Sequence, residues 1–249
     1  MGTVGVIIAA AGQGTRMGTP VNKQFLLLDG RPVLMHSWHT FSSLSEVVKL
    51  VVVAHPQEVE TCRRLLPDDG RTLVVSGGRE RQDSVMAGLA CLQPAPDLVA
   101  VHDGARPLVT TGLIRRVIEA AARCGAAVPG VPVVDTLKMV NAEGFVEATL
   151  ERSRVQAIQT PQVFRWQPLV DAYARAQRDG FRGTDDASIY ERYAGPVRVV
   201  AGARDNIKIT VPEDVLLANL LLQARAGGCG TLVPEPALPA DEEAGVTRR

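Results

Sequence analysis

Short, unbroken apolar runs alternate with amphipathic stretches along most of the chain. The runs at Val4–Ala10, Val47–Ala54 and 97–102 are rich in β-branched residues and are bounded by polar or small residues. They are too short for buried helices and too uniformly apolar for strands with one solvated face. We therefore predict central parallel strands at these three places.

The stretches between these runs have helical patterns. Leu34, Trp38 and Phe41 recur at helical spacing after the first run. Segment 56–66 begins with a proline and acidic residues and ends in arginines, and segment 110–125 begins with threonine and closes with glycine. These are the start and stop signals of helices. The alternation of strand and helix predicts an α/β domain with a mostly parallel sheet.

The alternation fails at 135–154, where apolar and polar residues alternate around an Asn-Ala-Glu-Gly turn. This pattern predicts an antiparallel β-hairpin inserted in the domain. The hairpin has few apolar residues to bury in its own domain, so it is either an arm that reaches another subunit or a solvated flap.

The remaining chain predicts further helices from Pro168, from Thr184 and from Pro212, and a strand pair at 197–200 and 206–210. We expect one folded domain over 1–225. Segment 226–249 is rich in Gly, Pro and Ala, and we expect a disordered tail.

Composition excludes several classes of protein. The 249 residues are 46% hydrophobic and 22% charged, and 27 Lys and Arg balance 27 Asp and Glu. There is no overall field for nucleic acid or for an anionic membrane, so any anion site must be local. The first apolar run is broken by Gly12 and follows no basic region, unlike a signal peptide or membrane span. The cysteines have no metal-ligand spacing and fit a reducing, cytoplasmic setting; they are Cys62, Cys91, Cys124 and Cys229.

The loop after the first strand contains Gly12, Gly14 and Gly18, one residue longer than the dinucleotide fingerprint, and Pro20 lies within it. The second strand does not end in the acidic residue that a ribose diol needs. The NTPase phosphate loop needs Lys followed by Ser or Thr, whereas Lys23 precedes Gln. Both familiar nucleotide motifs are therefore poor matches.

The same loop still has the chemistry of an anion site. Small residues such as Ala10, Ala11 and Gly12 let backbone N–H groups approach a phosphate or base. Arg16 and Lys23 would place two cations around one anionic centre. A glycine-rich surface loop with solvated charges is the alternative.

Two more loops follow predicted strands, where ligands bind in open α/β sheets. Segment 76–85 has two glycines and two arginines at a strand-to-helix junction, which indicates either an anion or base contact or simply a capped helix start. Asp103 follows the strand at 97–102, where a carboxylate can hold Mg²⁺ on a nucleotide phosphate. The neighbouring His102 lacks further histidines of a metal site, so we expect it to be structural.

A fourth loop region provides Asp205 as a possible second carboxylate and Lys208 on a predicted strand, while Arg152 and a Thr-Pro-Gln turn at 160–162 lie beyond the hairpin. Together, the glycine- and cation-containing loops at strand ends indicate a site that handles phosphates.

The set of motifs resembles one enzyme family. The stretches AAAGQGTRMG, NKQF, GGRERQDSV, VHDGARP, DTLK, TPQ and DNIKIT occur in the order found in 2-C-methyl-D-erythritol 4-phosphate cytidylyltransferases. The resemblance extends over residues 4–222. It implies a Rossmann-like nucleotidyltransferase fold, transfer of CMP from CTP to a polyol phosphate with release of pyrophosphate, a Mg²⁺ requirement, and a homodimer joined by a β-arm. Proline is frequent in the family at the position of Ala9.

The resemblance also implies roles for individual residues. Arg16 and Lys23 match the pair that stabilises the transition state at the α-phosphorus, and Arg152 and Lys208 match the pair that positions the acceptor phosphate. Asp103 and Asp205 match metal-site carboxylates. Nucleotide contacts are expected, with Lys23 and Asp103, from Ala10, Ala11, Gly12, Gly14, Gly78, Arg81 and Ser84. Acceptor contacts are expected, with Arg152 and Lys208, from Arg106, Thr136 and Thr160.

Three other functions compete with this one. A ribitol 5-phosphate cytidylyltransferase would share most of these loops, and a non-catalytic nucleotide-binding module would share the fold. A nicotinamide oxidoreductase is disfavoured by the glycine spacing.

Overall fold

A computed structural model describes residues 2–12 and 22–226 of the chain. Residues 227–249 of the predicted disordered tail and the loop residues Gly14 and Arg16 therefore lie outside the described residues, whereas Ala226 is the last residue of a helix. The strands are β1 (Val4–Ala10), β2 (Leu27–Leu28), β3 (Arg31–Pro32), β4 (Val47–Ala54), β5 (Thr72–Ser76), β6 (Leu98–Asp103), β7 (Ala126–Pro132), β8 (Lys138–Val140), β9 (Val146–Thr149), β10 (Gln156–Ile158), β11 (Gln162–Arg165) and β12 (Arg198–Ala201). The helices are α1 (Val33–Ser42), α2 (Val59–Leu65), α3 (Arg81–Cys91), α4 (Thr111–Cys124), α5 (Trp166–Arg178), α6 (Asp186–Tyr193) and α7 (Pro212–Ala226).

The main sheet has the strand order β10-β7-β11-β6-β1-β4-β5, with β12 also paired to β7. Strands β4 and β6 pair with β1 in parallel, as does β5 with β4, whereas β10 and β11 are antiparallel to their neighbours. This confirms the predicted α/β fold with a mostly parallel sheet and flanking helices.

The central strands are buried on both faces, which explains their continuous apolar sequences. In β1, Val6 and Ile8 belong to one apolar cluster and Ile7 to the other. The first cluster packs the sheet against α1, α2 and α4, and the second packs it against α3, α5 and α6. The sheet is therefore the middle layer of three.

Strand register brings the carboxyl ends of four strands to one edge of the sheet. Ala10 pairs with Ala54, Ala54 pairs with Ser76, and Ala9 pairs with Asp103. The loops after β1, β5 and β6 therefore leave the sheet side by side, and these are loops in which the sequence predicted phosphate chemistry.

The predicted hairpin is present as β8 and β9, which pair antiparallel to each other and to no other strand of the described residues. We call residues 135–154 the arm. Its apolar side chains are not buried by the described part of its own chain: Phe145 is 72% exposed and Val140 is 58% exposed.

The strand predicted at 206–210 is wrong. Segment 206–210 has no strand assignment, and Ile209 N–H donates to the carbonyl of Ala105 rather than to a strand ladder. The alternating Ile207 and Ile209 instead pack in a small apolar cluster with residues of α7. An extended segment that buries alternate residues beneath a helix has the same sequence pattern as a strand.

Candidate active site

A cleft of about 180 Å³ lies at the sheet edge where the loops after β1, β5 and β6 meet. Its walls combine small residues with charged side chains. The residues that line it include Ala10, Ala11, Gly12, Lys23, Gly78, Arg81, Ser84, Asp103 and Lys208. The structure thus places nine of the predicted site residues around one opening.

The loops after β1 and β5 are held close together. A Cβ on Gly77 would lie 2.6 Å from the Cβ of Ala11, so a larger residue would push the two loops apart. The Gly77 N–H donates to the carbonyl of Ala54 at 2.7 Å. Gly78 N–H donates to Ser84 Oγ at 3.2 Å, and that hydroxyl donates to Glu80 at the start of α3. Ser84 therefore shapes the loop through its hydroxyl.

Asp103 is the centre of charge in the cleft. Lys208 Nζ lies 2.8 Å from its Oδ2, and Arg81 Nε lies 3.4 Å from its Oδ1. Burial opposes ionisation of this carboxyl, but the Arg81, Lys208 and Arg106 cations hold its pKa well below the ordinary value. Asp103 is therefore an anion surrounded by cations at neutral pH.

Lys23 and Lys208 are brought to the cleft by segments distant in sequence. Lys23 lies on a single 3₁₀ turn, Lys23–Phe25, and its Nζ donates to the carbonyl of Ile209 at 3.3 Å. Since the Ile209 N–H donates to the loop after β6, one backbone segment fixes both lysines relative to Asp103. Lys208 was expected on a strand, but this irregular segment places it at the same sheet edge.

Arg106 and Thr160 lie behind Asp103 and do not line the cleft of the described residues. Arg106 Nη1 donates to the carbonyl of Asn206 at 2.8 Å, and burial lowers the pKa of its guanidinium, with Asp103 partly offsetting this. Thr160 Oγ1 accepts from the backbone N–H of Asp103 and lies 3.1 Å from His102 Nδ1. Their predicted contacts with an acceptor stay predictions.

His102 is fully buried between Thr160 and the Arg106 carbonyl, which its Nε2 approaches to 3.1 Å. The carbonyl oxygen of Arg106 can only accept, so Nε2 carries the proton and donates to it. In the neutral ring Nδ1 then accepts from the Thr160 hydroxyl. Burial lowers the pKa of His102 to about 4. The structural role expected for His102 is confirmed: it is a neutral support for the loop that carries Asp103.

Arg152, Thr136 and Asp205 are not brought to this cleft. Thr136 and Arg152 are exposed near the first and last residues of the arm. Arg152 Nη1 donates to the carbonyl of Val134. Asp205 forms an ion pair of 2.6 Å with Arg225 of α7. Its predicted role beside Asp103 in a metal site stays a prediction.

Sequence reasoning missed the groups behind Arg81. Arg81 Nη2 donates to Asp186 at 2.6 Å, and Asp186 also accepts from the hydroxyl of Tyr173. The signal available was the Asp185–Asp186 pair at the start of a predicted helix: the first caps α6 and the second turns inward. No cue in the sequence connects α6 with Arg81.

Comparison with known proteins agrees with this geometry. Residues 4–224 match the family model of IspD, 2-C-methyl-D-erythritol 4-phosphate cytidylyltransferase. A protein of that name from Symbiobacterium thermophilum is 48% identical over 227 residues, covering 91% of this chain and 95% of the relative. The relative of the same name from Pelotomaculum thermopropionicum is 43% identical, covering 91% and 97%.

Solved structures show the same fold. The crystal structure of 4-diphosphocytidyl-2C-methyl-D-erythritol synthase from Anaerococcus prevotii matches with a TM-score of 0.80 at 32% identity, covering 89% of this chain and 96% of that one. The 2-C-methyl-D-erythritol 4-phosphate cytidylyltransferase of Thermus thermophilus matches with a TM-score of 0.73 at 36% identity, covering 89% and 99%. The chain therefore has the Rossmann-like nucleotidyltransferase fold and belongs to the 2-C-methyl-D-erythritol 4-phosphate cytidylyltransferase family.

Proposed function

We propose that this protein transfers CMP from CTP to 2-C-methyl-D-erythritol 4-phosphate and releases pyrophosphate, a step of non-mevalonate isoprenoid precursor synthesis. The observation that carries the proposal is the cleft in which Arg81 and Lys208 contact Asp103, with Lys23 and a wall of small residues lining the same opening. The names of the family and of its relatives supply the substrate pair.

The reaction needs no protein nucleophile. A phosphate oxygen of the acceptor attacks the α-phosphorus of CTP and forms a new P–O bond. The bond between the α-phosphorus and the oxygen that bridges to the β-phosphate breaks, and its electrons leave with pyrophosphate. The protein's task is to bring two polyanions together and to stabilise charge on the α-phosphoryl oxygens. Lys23 and Arg16 are proposed for that charge, and Lys208 for the acceptor phosphate.

The nucleotide is proposed to lie against the small residues of the first loop and of the loop after β5. Ala10, Ala11 and Gly12 have small or no side chains, and Gly78 and Ser84 line the same cleft. This arrangement fits a pyrimidine and ribose held mainly by backbone groups, with the triphosphate directed at Lys23 and Arg81.

A divalent cation such as Mg²⁺ fits this site with Asp103 as its protein ligand. Residues 2–12 and 22–226 contain no group of three or more potential metal-ligating side chains. Mg²⁺ on a nucleotide is usually held by one or two carboxylates together with phosphate oxygens and water. The cation would neutralise phosphate charge; Asp205 would join as a second ligand only after leaving its ion pair with Arg225.

We also propose a homodimer joined through the arm. Thr136 and Arg152 are exposed and lie outside the cleft that their own described chain forms, yet the family resemblance gives them acceptor contacts. Both statements are satisfied if the arm of one subunit lies over the cleft of the other. The exposed Phe145 and Val140 would then be covered by the partner subunit.

The proposal includes a cytoplasmic location and no membrane or nucleic-acid partner. It is supported by the absence of overall charge and by the free thiols of Cys62, Cys91 and Cys124. Every helix within 2–12 and 22–226 is too short or too polar to cross a bilayer.

The test is pyrophosphate release from CTP with MgCl₂ and either 2-C-methyl-D-erythritol 4-phosphate or ribitol 5-phosphate. We expect release with the former at a kcat/KM at least about 100-fold higher, since a misfitting acceptor loses its positioning. Preference for ribitol 5-phosphate would contradict the acceptor assignment. CTP binding without release from either acceptor would favour a non-catalytic module.

A further inference from the structure

Two carboxylates hold the side chain of Arg81. Its Nε faces Asp103 in the cleft at 3.4 Å, and its Nη2 donates to Asp186 at 2.6 Å behind the cleft wall. Arg81 is the first residue of α3, where the positive end of the helix dipole disfavours a cation. Something other than the helix must therefore keep this guanidinium in place.

Asp186 can keep the Arg81 guanidinium in place. Its side chain is fully buried, and its two oxygens have different partners: Oδ2 accepts from Arg81 and Oδ1 accepts from the Tyr173 hydroxyl. A buried carboxylate is costly unless it is paired and hydrogen-bonded, and here both conditions are met. Asp186 also lies in the first turn of α6, where a negative charge is favoured.

Tyr173 fixes the carboxylate from the side opposite to Arg81. It is among the largest fully buried side chains and lies in the apolar cluster between α5 and the sheet. Burial and the neighbouring Asp186 raise the pKa of its hydroxyl well above the ordinary value, so it acts as a hydrogen-bond donor. The ring cannot move without disturbing the core, so the hydrogen bond from its hydroxyl also restricts the motion of the Asp186 carboxylate.

The two carboxylates differ in what happens when ligands arrive. Asp103 lines the cleft, and on the proposed function it would share its oxygens with a metal ion. Its contact with Arg81 would then be weaker, whereas Asp186 is fully buried, does not line the cleft and would keep its contact with Arg81. We propose that Asp186, fixed by Tyr173, is a positioning residue that holds Arg81 in its nucleotide-binding orientation.

This inference rests on the proposed function, and it is tested by calorimetric titration of CTP in MgCl₂ without acceptor. We expect Asp186→Asn to raise the Kd for CTP about 10-fold, because a misdirected guanidinium loses a charge-assisted contact. Asp186→Glu, which keeps the charge, should recover most of the affinity. If the unaltered protein does not bind CTP, the proposed function fails; if it binds and Asp186→Asn binds equally well, only this inference fails.

Two comparisons distinguish an affinity loss caused by poor folding from one caused by a mispositioned Arg81. Tyr173→Phe should lower the melting temperature and raise the CTP Kd by up to about 3-fold, less than Asp186→Asn does, because Asp186 loses one hydrogen bond but keeps its ion pair with Arg81. In an Arg81→Gln background, Asp186→Asn should change the Kd by less than about 2-fold, because Asp186 acts only through Arg81. An equal effect of Asp186→Asn in both backgrounds would overturn the proposal.

If Asp186→Asn alone does not fold, the comparison within the Arg81→Gln background still decides. In the double variant neither partner is charged, and in the Arg81→Gln variant the Asp186 carboxylate still accepts a hydrogen bond from Tyr173. A difference of more than about 2-fold between Arg81→Gln and the double variant would then count against positioning through Arg81.

Discussion

The cleft and the arm are built by opposite means. In the cleft, the buried Asp103 contacts cations from α3 and from segment 206–210. In the arm, β8 and β9 pair only with each other among the described strands, and apolar side chains face outward. The ion pairs of the cleft are satisfied within one chain, whereas the exposed apolar surface of the arm is the feature that the proposed dimer would cover.

The largest effect on activity is expected when a cation is removed from the cleft. We expect Lys23→Ala to lower kcat by on the order of 10²-fold, the usual cost of losing one electrostatic stabiliser of the transition state. Steady-state measurement of pyrophosphate release at saturating CTP and acceptor checks this. Near-normal turnover would remove Lys23 from the proposed chemistry.

The arm is tested by mixing subunits. Arg152→Gln is expected to raise the acceptor KM by about 10-fold or more, since a charged contact to phosphate is lost. If the arm serves the partner's cleft, co-refolding Arg152→Gln with Lys23→Ala should restore activity. Each mixed dimer then contains one cleft with its own Lys23 and with Arg152 from the partner subunit.

Activity of the mixture no higher than the mean of the two variants would mean that each arm serves its own cleft. The matched control mixes Lys23→Ala with Lys208→Ser, two variants of the cleft. Every cleft of such a mixed dimer lacks one of the two lysines, so activity should not be restored whichever cleft the arm serves.

His102, which supports the loop that carries Asp103, should have a smaller effect, on the pH dependence of the free energy of unfolding. The pKa of His102 is lowered to about 4 in the folded protein, so the unfolded chain binds its proton first as pH falls. The stability that the neutral ring provides is fully present above the unfolded pKa near 6.5 and is lost between that pH and about 4. The loss amounts to about 3 kcal/mol at most.

Urea unfolding of the protein and of His102→Gln between pH 7.5 and 4.5 checks this. The slope of unfolding free energy against pH should be shallower in the variant. Equal slopes would show that groups other than His102 account for the acid sensitivity in this pH range.

The sequence predicted what depends on local pattern. Buried parallel strands, the caps of α4 at Thr110 and Gly125, and the hairpin of the arm all follow from composition and spacing within a few residues. The converging loops were also predictable, because parallel strands end at one edge.

What could not be predicted depends on partners distant in the chain. The pattern at 206–210 has strand spacing, and only its contact with α7 shows that no strand forms there. Likewise, Asp186 lies 105 residues from Arg81, and Thr160 lies 57 residues from Asp103, so no local pattern reports either hydrogen bond.

The buried His102 has a consequence for how this enzyme family can change. Its ring accepts from Thr160 and donates to Arg106, while Thr160 accepts from Asp103. These residues therefore form one hydrogen-bonded unit whose directions are all set by a single neutral tautomer. Asp103 and Arg106 take part through backbone groups, so only His102 and Thr160 contribute side chains to this unit. A substitution at either of these two removes a partner of the other, so we expect them to change together over evolution.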